Sequence, residues 1–383
     1  VPALRFPEFT GEWERHKLSE VCSFYSGGTP SSSKKEYYNG NIPFIRSGEL
    51  HKDYTELFIT EAGLSNSAAK LVETGDLLLA LYGATSGDIA ISKIKGAINQ
   101  AILCIRTKQN KKFIESVWNK HVERLLQTYL QGGQGNLSAD IVKNIPFYFA
   151  NSNEQDKLAK FISLLDERIA TQNKIIEKLE TLIKGIVDSI FTANEFPKVP
   201  FKEIYVRAGE GGTPATSNPE YYDNGTIPFI KIDDLQNKYI KTNKDCITEL
   251  GLQKSSAWIV PANSIIYSNG ATIGAISINL FPVCTKQGIL GVVPKADINV
   301  EFLYYFMTST AFTKAVERIV TEGTMRTAYL KDINHIPCPV PCSVKQDEIA
   351  KLLSTLSEKL ENEVIFQMKL QKQKEFLLSQ MFI

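Results

Sequence analysis

Two loops of nearly the same composition hold the side chains best suited to chemistry. Residues 27–38 read GGTPSSSKKEYY and residues 210–222 read EGGTPATSNPEYY. The first sets Thr29, Ser31, Ser32, Ser33, Lys34 and Lys35 beside two tyrosines, and the second sets Thr213, Thr216, Ser217 and Asn218 in the same place. Small hydroxyls, amides and lysines on a turn suit phosphate oxygens, and the longer polar groups can reach base edges. The same residues also have a plain structural use, in which Gly, Thr and Pro make the turn and the tyrosines fill the core beside it.

Other polar tips come in matched but unequal pairs. After the two IPFI runs stand Arg46, Ser47, Glu49 and His51 in one place and Lys231, Asp233, Asp234 and Gln236 in the other. LYGATSG, with Tyr82 and Thr85, answers SNGATIG, with Asn269 and Thr272. The loop QGGQGN carries Gln131, Gln134 and Asn136, and EGTMRTAY carries Thr324, Arg326, Thr327 and Tyr329. Similar scaffolds with different polar tips should read two different targets.

Bond-making chemistry has no evident seat. No Gly is followed by Lys, which excludes the phosphate loop GxxxxGK[ST], and GxSxG, HExxH, CxxC and (N/D)PPY are missing. His16, His51, His121 and His335 are scattered without partners at ligand spacing, and no acidic cluster has the look of a nuclease metal site. Cys338 and Cys342, in CPVPC, enclose two prolines and read as a loop. Six cysteines without metal-like spacing fit reduced thiols in a cytoplasm. A net charge of +1 gives no bulk electrostatic argument for nucleic acid. No stretch of about 18 apolar residues marks a membrane span, and VPALRFPEFTGEW lacks the apolar centre of a signal peptide.

The elements that must position these loops are duplicated. EYYNGNIPFI (36–45) returns as EYYDNGTIPFI (220–230), ITEAGL (59–64) as ITELGL (247–252), and Gln100 in NQAIL matches Gln287 in KQGIL. At 383 residues, a prior of about 150 residues per domain allows two or three domains, and the repeat settles on two copies of one unit. Short β-like runs at 42–45, 76–82, 89–91 and 101–106 alternate with turn residues, and amphipathic helices are predicted over 111–130 and 300–320. The fold class is therefore α+β, with a curved and largely antiparallel sheet in each copy.

Each copy ends in a long helix. From Glu154 to Phe191 the stripe Leu158, Ile162, Leu165, Ile169, Ile176, Leu179, Ile183, Ile186 and Ile190 is broken only at Gln172. From Lys345 to Ile383 it recurs as Ile349, Leu353, Leu356, Leu360, Leu370, Leu377 and Met381, with Glu363, Gln367 and Lys374 interrupting. A repeat of about 3.5 residues held over about five heptads belongs to supercoiled helices. Neither helix can bury its stripe alone, so the two are expected to pair as an antiparallel coiled coil. In such a pair equivalent residues meet only at the midpoint, where Gln172 and Glu363 are equivalents, and a polar layer there would fix register. The expected division is one recognition domain at 1–152, a helix at 153–193, a second domain at 194–343 and a helix at 344–383.

In combination, RFPEF-GEW, GGTPS, EYYNG-IPFI, LYGATSG, NQAI and a long helix, followed by a second round, make the chain resemble the specificity subunit of a type I restriction–modification enzyme. Phe44 and Phe229 stand where many relatives carry Trp, and SNGATIG departs from LYGATSG. The resemblance implies two target-recognition domains, each reading one half of a bipartite double-stranded DNA sequence, with the helices as a ruler between half-sites. It implies a non-catalytic chain without a cofactor of its own. Two methylation subunits and the restriction/translocase subunits would be its partners, carrying S-adenosylmethionine, ATP and Mg; it involves no membrane. On this reading the loop residues named above, apart from Glu49, Asp234, Gln236 and the glutamines at 100 and 287, are the DNA-binding candidates, with Lys34, Lys35 and Lys231 on phosphates and the variable tips on bases. The competing expectation is an adaptor that pairs two protein-binding domains through a coiled coil.

Overall fold

A computed structural model of the chain describes residues 1–130, 137–193, 196–270, 272–320 and 326–383. They form two compact units, Val1–Asn173 with Ile365–Ile383 and Lys174–Val364.

In the first unit a central strand, Leu77–Ala80, is buried on both faces. Its alternate side chains divide between two cores: Leu77 and Leu79 join Trp13, Phe113 and Trp118, while Leu78 and Ala80 join Ile45, Val72 and Ile98. That two-sided burial is why the run reads as continuously apolar rather than alternating. Cys22–Ser26, Ile102–Thr107, Leu77–Ala80 and Ile89–Ile91 make an antiparallel sheet in that order. A second sheet orders Phe58–Ile59, Tyr38–Ile45, Gly96–Ile98 and Lys70–Val72, with Tyr38–Ile45 parallel to Gly96–Ile98.

The second unit repeats the plan. Ser264–Ser268 is its central buried strand, Ile265 and Tyr267 facing one core and Ile266 the other. It sits in a five-stranded sheet, and a three-stranded sheet places Ile227–Ile230 parallel to Cys284–Thr285. A two-stranded antiparallel pair completes each unit, Glu14–Lys17 with Pro146–Phe149 and Lys198–Pro200 with Pro337–Pro339. The single largely antiparallel sheet expected per copy is thus three sheets among the described residues, each unit with at least one parallel pair.

The helix Lys111–Leu130 forms as expected, packing Phe113, Ile114, Val117 and Trp118 inward. Its counterpart breaks at Ser309 into Val300–Thr308 and Thr310–Ile319. Ser309 is extended (ψ 153°), and its hydroxyl accepts from the Phe312 amide at 3.3 Å as an N-cap. Asp188, on the long helix, takes the Thr310 amide and hydroxyl at 2.7 Å each.

The long helices run over Ser152–Thr192 and Ser343–Met381. In the first unit the early half of one lies beside the late half of the other: Lys374 Nζ is 2.6 Å from Asp166 Oδ1, and the Arg168 guanidinium is 5.5 Å from the Phe366 ring centre. In the second unit Val187 and Phe191 share a core with Ile349 and Leu353. The helices are antiparallel, and every residue of both apolar stripes is buried or half-buried.

A phenylalanine at the end of each long helix, Phe191 inside the first and Phe382 just past the second, also plugs a domain. Phe382 packs on Phe113 with ring centres 5.5 Å apart, and its equivalent Phe191 packs on Phe302 at 5.3 Å and Phe306 at 5.5 Å. At the helix starts, Gln155 Oε1 accepts from the Asn110 amide and Asp156 from the Asn110 side chain. Gln346 and Asp347 hold Asn299 in the same way. The repeated Gln-Asp pair is therefore a joint between each domain and its helix.

Candidate nucleic-acid interface

The two Gly-Gly-Thr-Pro loops are shaped first by sterics. A Cβ on Gly27 would lie 1.7 Å from the Ile98 carbonyl oxygen, and one on Gly211 would lie 1.9 Å from that of Thr285. A Cβ on Gly28 would lie 2.6 Å from the Ala68 Cβ, and one on Gly212 would lie 2.3 Å from the Ser256 hydroxyl. Tyr38 then donates its hydroxyl to the Pro30 carbonyl at 2.6 Å, and Tyr222 does the same to Pro214 at 2.6 Å. So Gly, Pro and Tyr do make the turn, and that leaves the hydroxyls and lysines pointing outward.

In the first unit Thr29, Ser31, Ser32, Ser33, Lys34 and Lys35 are all exposed. Thr29 Oγ1 donates to Gln100 Oε1 at 2.7 Å, Ser31 and Ser33 pair at 2.8 Å, and Lys34 Nζ reaches the Tyr37 hydroxyl at 3.0 Å. His51 and Asp88 are joined at 2.8 Å, linking the tip after IPFI to the GATSG turn that holds Thr85. Asp88 keeps the His51 imidazole above its ordinary pKa. Ser47 and Thr85 are half-buried, and Tyr82 leans on the core, where burial raises its phenol.

Arg46 is exposed but engaged, its guanidinium pairing with Glu49 at 2.7 Å and Glu56 at 2.8 Å. Glu49 is only 4% exposed. Burial opposes its ionisation, yet the Arg46 guanidinium and amide, the Thr55 hydroxyl and the Glu56 amide outweigh it and hold its pKa at about 2. Because the folded value lies below the unfolded one, the stabilisation is complete above the unfolded carboxylate range and fades as pH falls towards 2. Glu49→Gln should therefore destabilise the chain by about 2 kcal/mol at pH 7. Urea titrations from pH 7 to pH 3 should show the gap to the wild type narrowing only below about pH 4.5; a gap that is constant across that range would refute the assignment.

In the second unit Thr216, Ser217, Asp233, Thr272, Arg326 and Tyr329 are exposed. Asn218 accepts from the Glu220 amide at 3.1 Å and caps a short turn, and Lys331 sits over the Tyr329 ring at 5.5 Å. Thr272 and Arg326 line one cavity of about 300 Å³ with Tyr267 and Glu317. Thr213 and Thr327 are half-buried. Lys231, placed on a phosphate by its position, is already paired with Asp245 at 2.9 Å. Asn269 needs correction: it is 1% exposed and donates to the Ala328 carbonyl at 3.1 Å, so it is a strut under the loop and not a reading tip. Gln131, Gln134, Asn136 and Thr324 lie outside the described residues. Of the register pair, Gln172 is 5% exposed, and Glu363 accepts from Lys359 on its own helix.

Among the described residues, no group of three or more His, Cys, Asp or Glu could hold a metal ion, and no helix is long and apolar enough to cross a membrane. The type I restriction modification DNA specificity domain matches twice, over residues 10–181 and 198–369. The chain belongs to the type I restriction–modification specificity subunits. Two tandem specificity domains give this subunit its role in recognising a bipartite DNA target. It is 24% identical to the MjaIX specificity subunit of Methanocaldococcus jannaschii, over 96% of this chain and 92% of that one. It is 31% identical to the HindI specificity subunit of Haemophilus influenzae over 40% of this chain and 34% of that one. The fold matches the S subunit from M. genitalium with a TM-score of 0.59 at 16% identity, covering 100% of this chain and 99% of that one. It also matches a chain from a type I restriction–modification complex with a TM-score of 0.63 at 14% identity, over 97% of each.

Sequence reasoning left Glu49 out of the site, although Glu49 and Asp234 each stand three residues after the strand-end cation and cap its amide. That spacing is the available signal.

Proposed function

We propose that each domain of this specificity subunit reads one half-site of a duplex target and that the two long helices set the spacer between them. The observation that carries this reading is the pair of loops built on the same glycine, proline and tyrosine frame with different polar residues left exposed at their tips. The subunit supplies the address. Chemistry falls to two methylation subunits and to restriction/translocase subunits, which carry S-adenosylmethionine, ATP and Mg. Leu164, Leu182, Leu352, Met368 and Phe376 are exposed by half or more on the long helices, apolar surface that suits docking of such partners.

The test is co-expression with a methylation subunit followed by methylome sequencing. The expected result is adenine methylation at a two-part motif with one fixed gap, together with duplex binding that weakens steeply with salt. Salt-insensitive binding and no new methylation would overturn the reading and favour an adaptor.

A further inference from the structure

Many identities between the two copies have a packing reason, and an exposed pair of glutamines does not. Glycines 27 and 211 press on neighbouring backbone, Tyr38 and Tyr222 pin their loops, and Thr60 and Thr248 cap short helices. Gln100 and Gln287, by contrast, are both exposed. Each lies beside the Gly-Gly-Thr-Pro loop of its own domain, but the tie to that loop uses different atoms. In the first copy Thr29 Oγ1 donates to Gln100 Oε1 at 2.7 Å. In the second the Gln287 backbone amide donates to Thr213 Oγ1 at 3.2 Å, and the Gln287 side chain makes no hydrogen bond among the described residues. Folding therefore does not account for a glutamine side chain at both places.

We infer that Gln100 and Gln287 are backbone-phosphate contacts, each donating its Nε2–H to a phosphodiester oxygen of the half-site beside its own domain. Two arguments select phosphate over base. A feature repeated in both domains cannot distinguish two different half-sites, so it belongs to the part of binding that is independent of sequence. Bidentate reading of adenine would need the amide oxygen and nitrogen together in one plane. In Gln100 the oxygen already accepts from Thr29, which turns that end of the amide towards its own loop and leaves Nε2 as the freer group. The position is also suitable: Lys286 is exposed next to Gln287, and the hydroxyl-rich loop lies across from Gln100. This rests on the DNA-reading proposal above and adds residues outside its candidate list.

The experiment uses the full chain assembled with its methylation subunits and fluorescent duplexes carrying the target found by methylome sequencing, or that target with one half scrambled. Wild-type complex comes first: if it fails to bind either duplex in a salt-dependent way, the DNA-reading proposal falls, and not merely the glutamine contact. Given that binding, Gln100→Ala and Gln287→Ala should each weaken both duplexes by about tenfold, the loss expected for one hydrogen bond to a charged group. The ratio between duplexes, the methylated motif and the salt slope should not change, since an amide displaces no counterion. Gln287→Glu should weaken binding further. A changed ratio or a relaxed motif in Gln287→Ala would make these residues base readers, and unchanged affinity in that variant, whose side chain holds nothing in the fold, would remove the contact altogether. Gln100→Ala also frees Thr29 and is read for affinity alone.

Discussion

Gly27→Ala should cut methylation at the native target by about 100-fold, while Gly11→Ala, away from the recognition loops, leaves it unchanged. At Gly11 a Cβ meets nothing within 4 Å. At Gly27 it would sit 1.7 Å from the Ile98 carbonyl oxygen and 2.5 Å from its carbon. The obstacle is the backbone of a neighbouring strand, so no rotamer relieves it. Strand or loop must move, and overpacking of that kind costs about 3 kcal/mol or more, which corresponds to about 100-fold in an equilibrium. The Gly27 amide is held by the Asn99 carbonyl at 3.2 Å, next to Gln100, so a shift also breaks the Thr29–Gln100 bond and displaces the exposed hydroxyls and lysines beyond it. Gly211→Ala should act alike on the other half-site, against the Thr285 carbonyl at 1.9 Å and hydroxyl at 2.3 Å. Methylation rates on the native target, with urea titration alongside, check this; wild-type rates in Gly27→Ala would show that the loop does not position the interface.

The parts of the molecule legible in the sequence are those where one residue type answers one local constraint. The repeated glycines and the heptad stripes are of this sort, and the duplication made each visible twice. Tertiary causes were not legible. The 300–320 segment keeps its amphipathic pattern straight through Ser309, because what supports the break is Asp188, more than a hundred residues earlier. Asn269 shares a turn position with Tyr82 and so looked like a tip, yet only the fold reveals that Ala328 both donates to it and accepts from it. Lys231 and Arg46 carry the right charge for phosphate, but the carboxylates that pair with them come from a neighbouring strand or from a buried cap. Charge at a tip is a property of neighbours as much as of the residue.

Inserting one heptad into each long helix, after Asn173 and after Val364, should move methylation to targets with a longer spacer. Seven residues preserve the apolar phase, since the stripe from Leu158 to Ile190 and its antiparallel partner keep facing each other. They add about 10 Å of rise. At about 3.4 Å per base pair, that corresponds to roughly three base pairs of duplex. A coiled coil extended by a whole heptad turns its ends little, whereas three base pairs rotate the half-sites by about 100°, given about 10.5 base pairs per turn. The new spacing should therefore be methylated more slowly than the native one, with the difference carried by twist and not by length. A four-residue insertion instead rotates the stripe out of phase and should lower thermal stability as well as activity. Methylome sequencing of hosts carrying each variant reads the spacer directly. If the seven-residue variant still methylates the native spacing at the native rate, the helices do not set the distance and the ruler must be sought in the partner subunits.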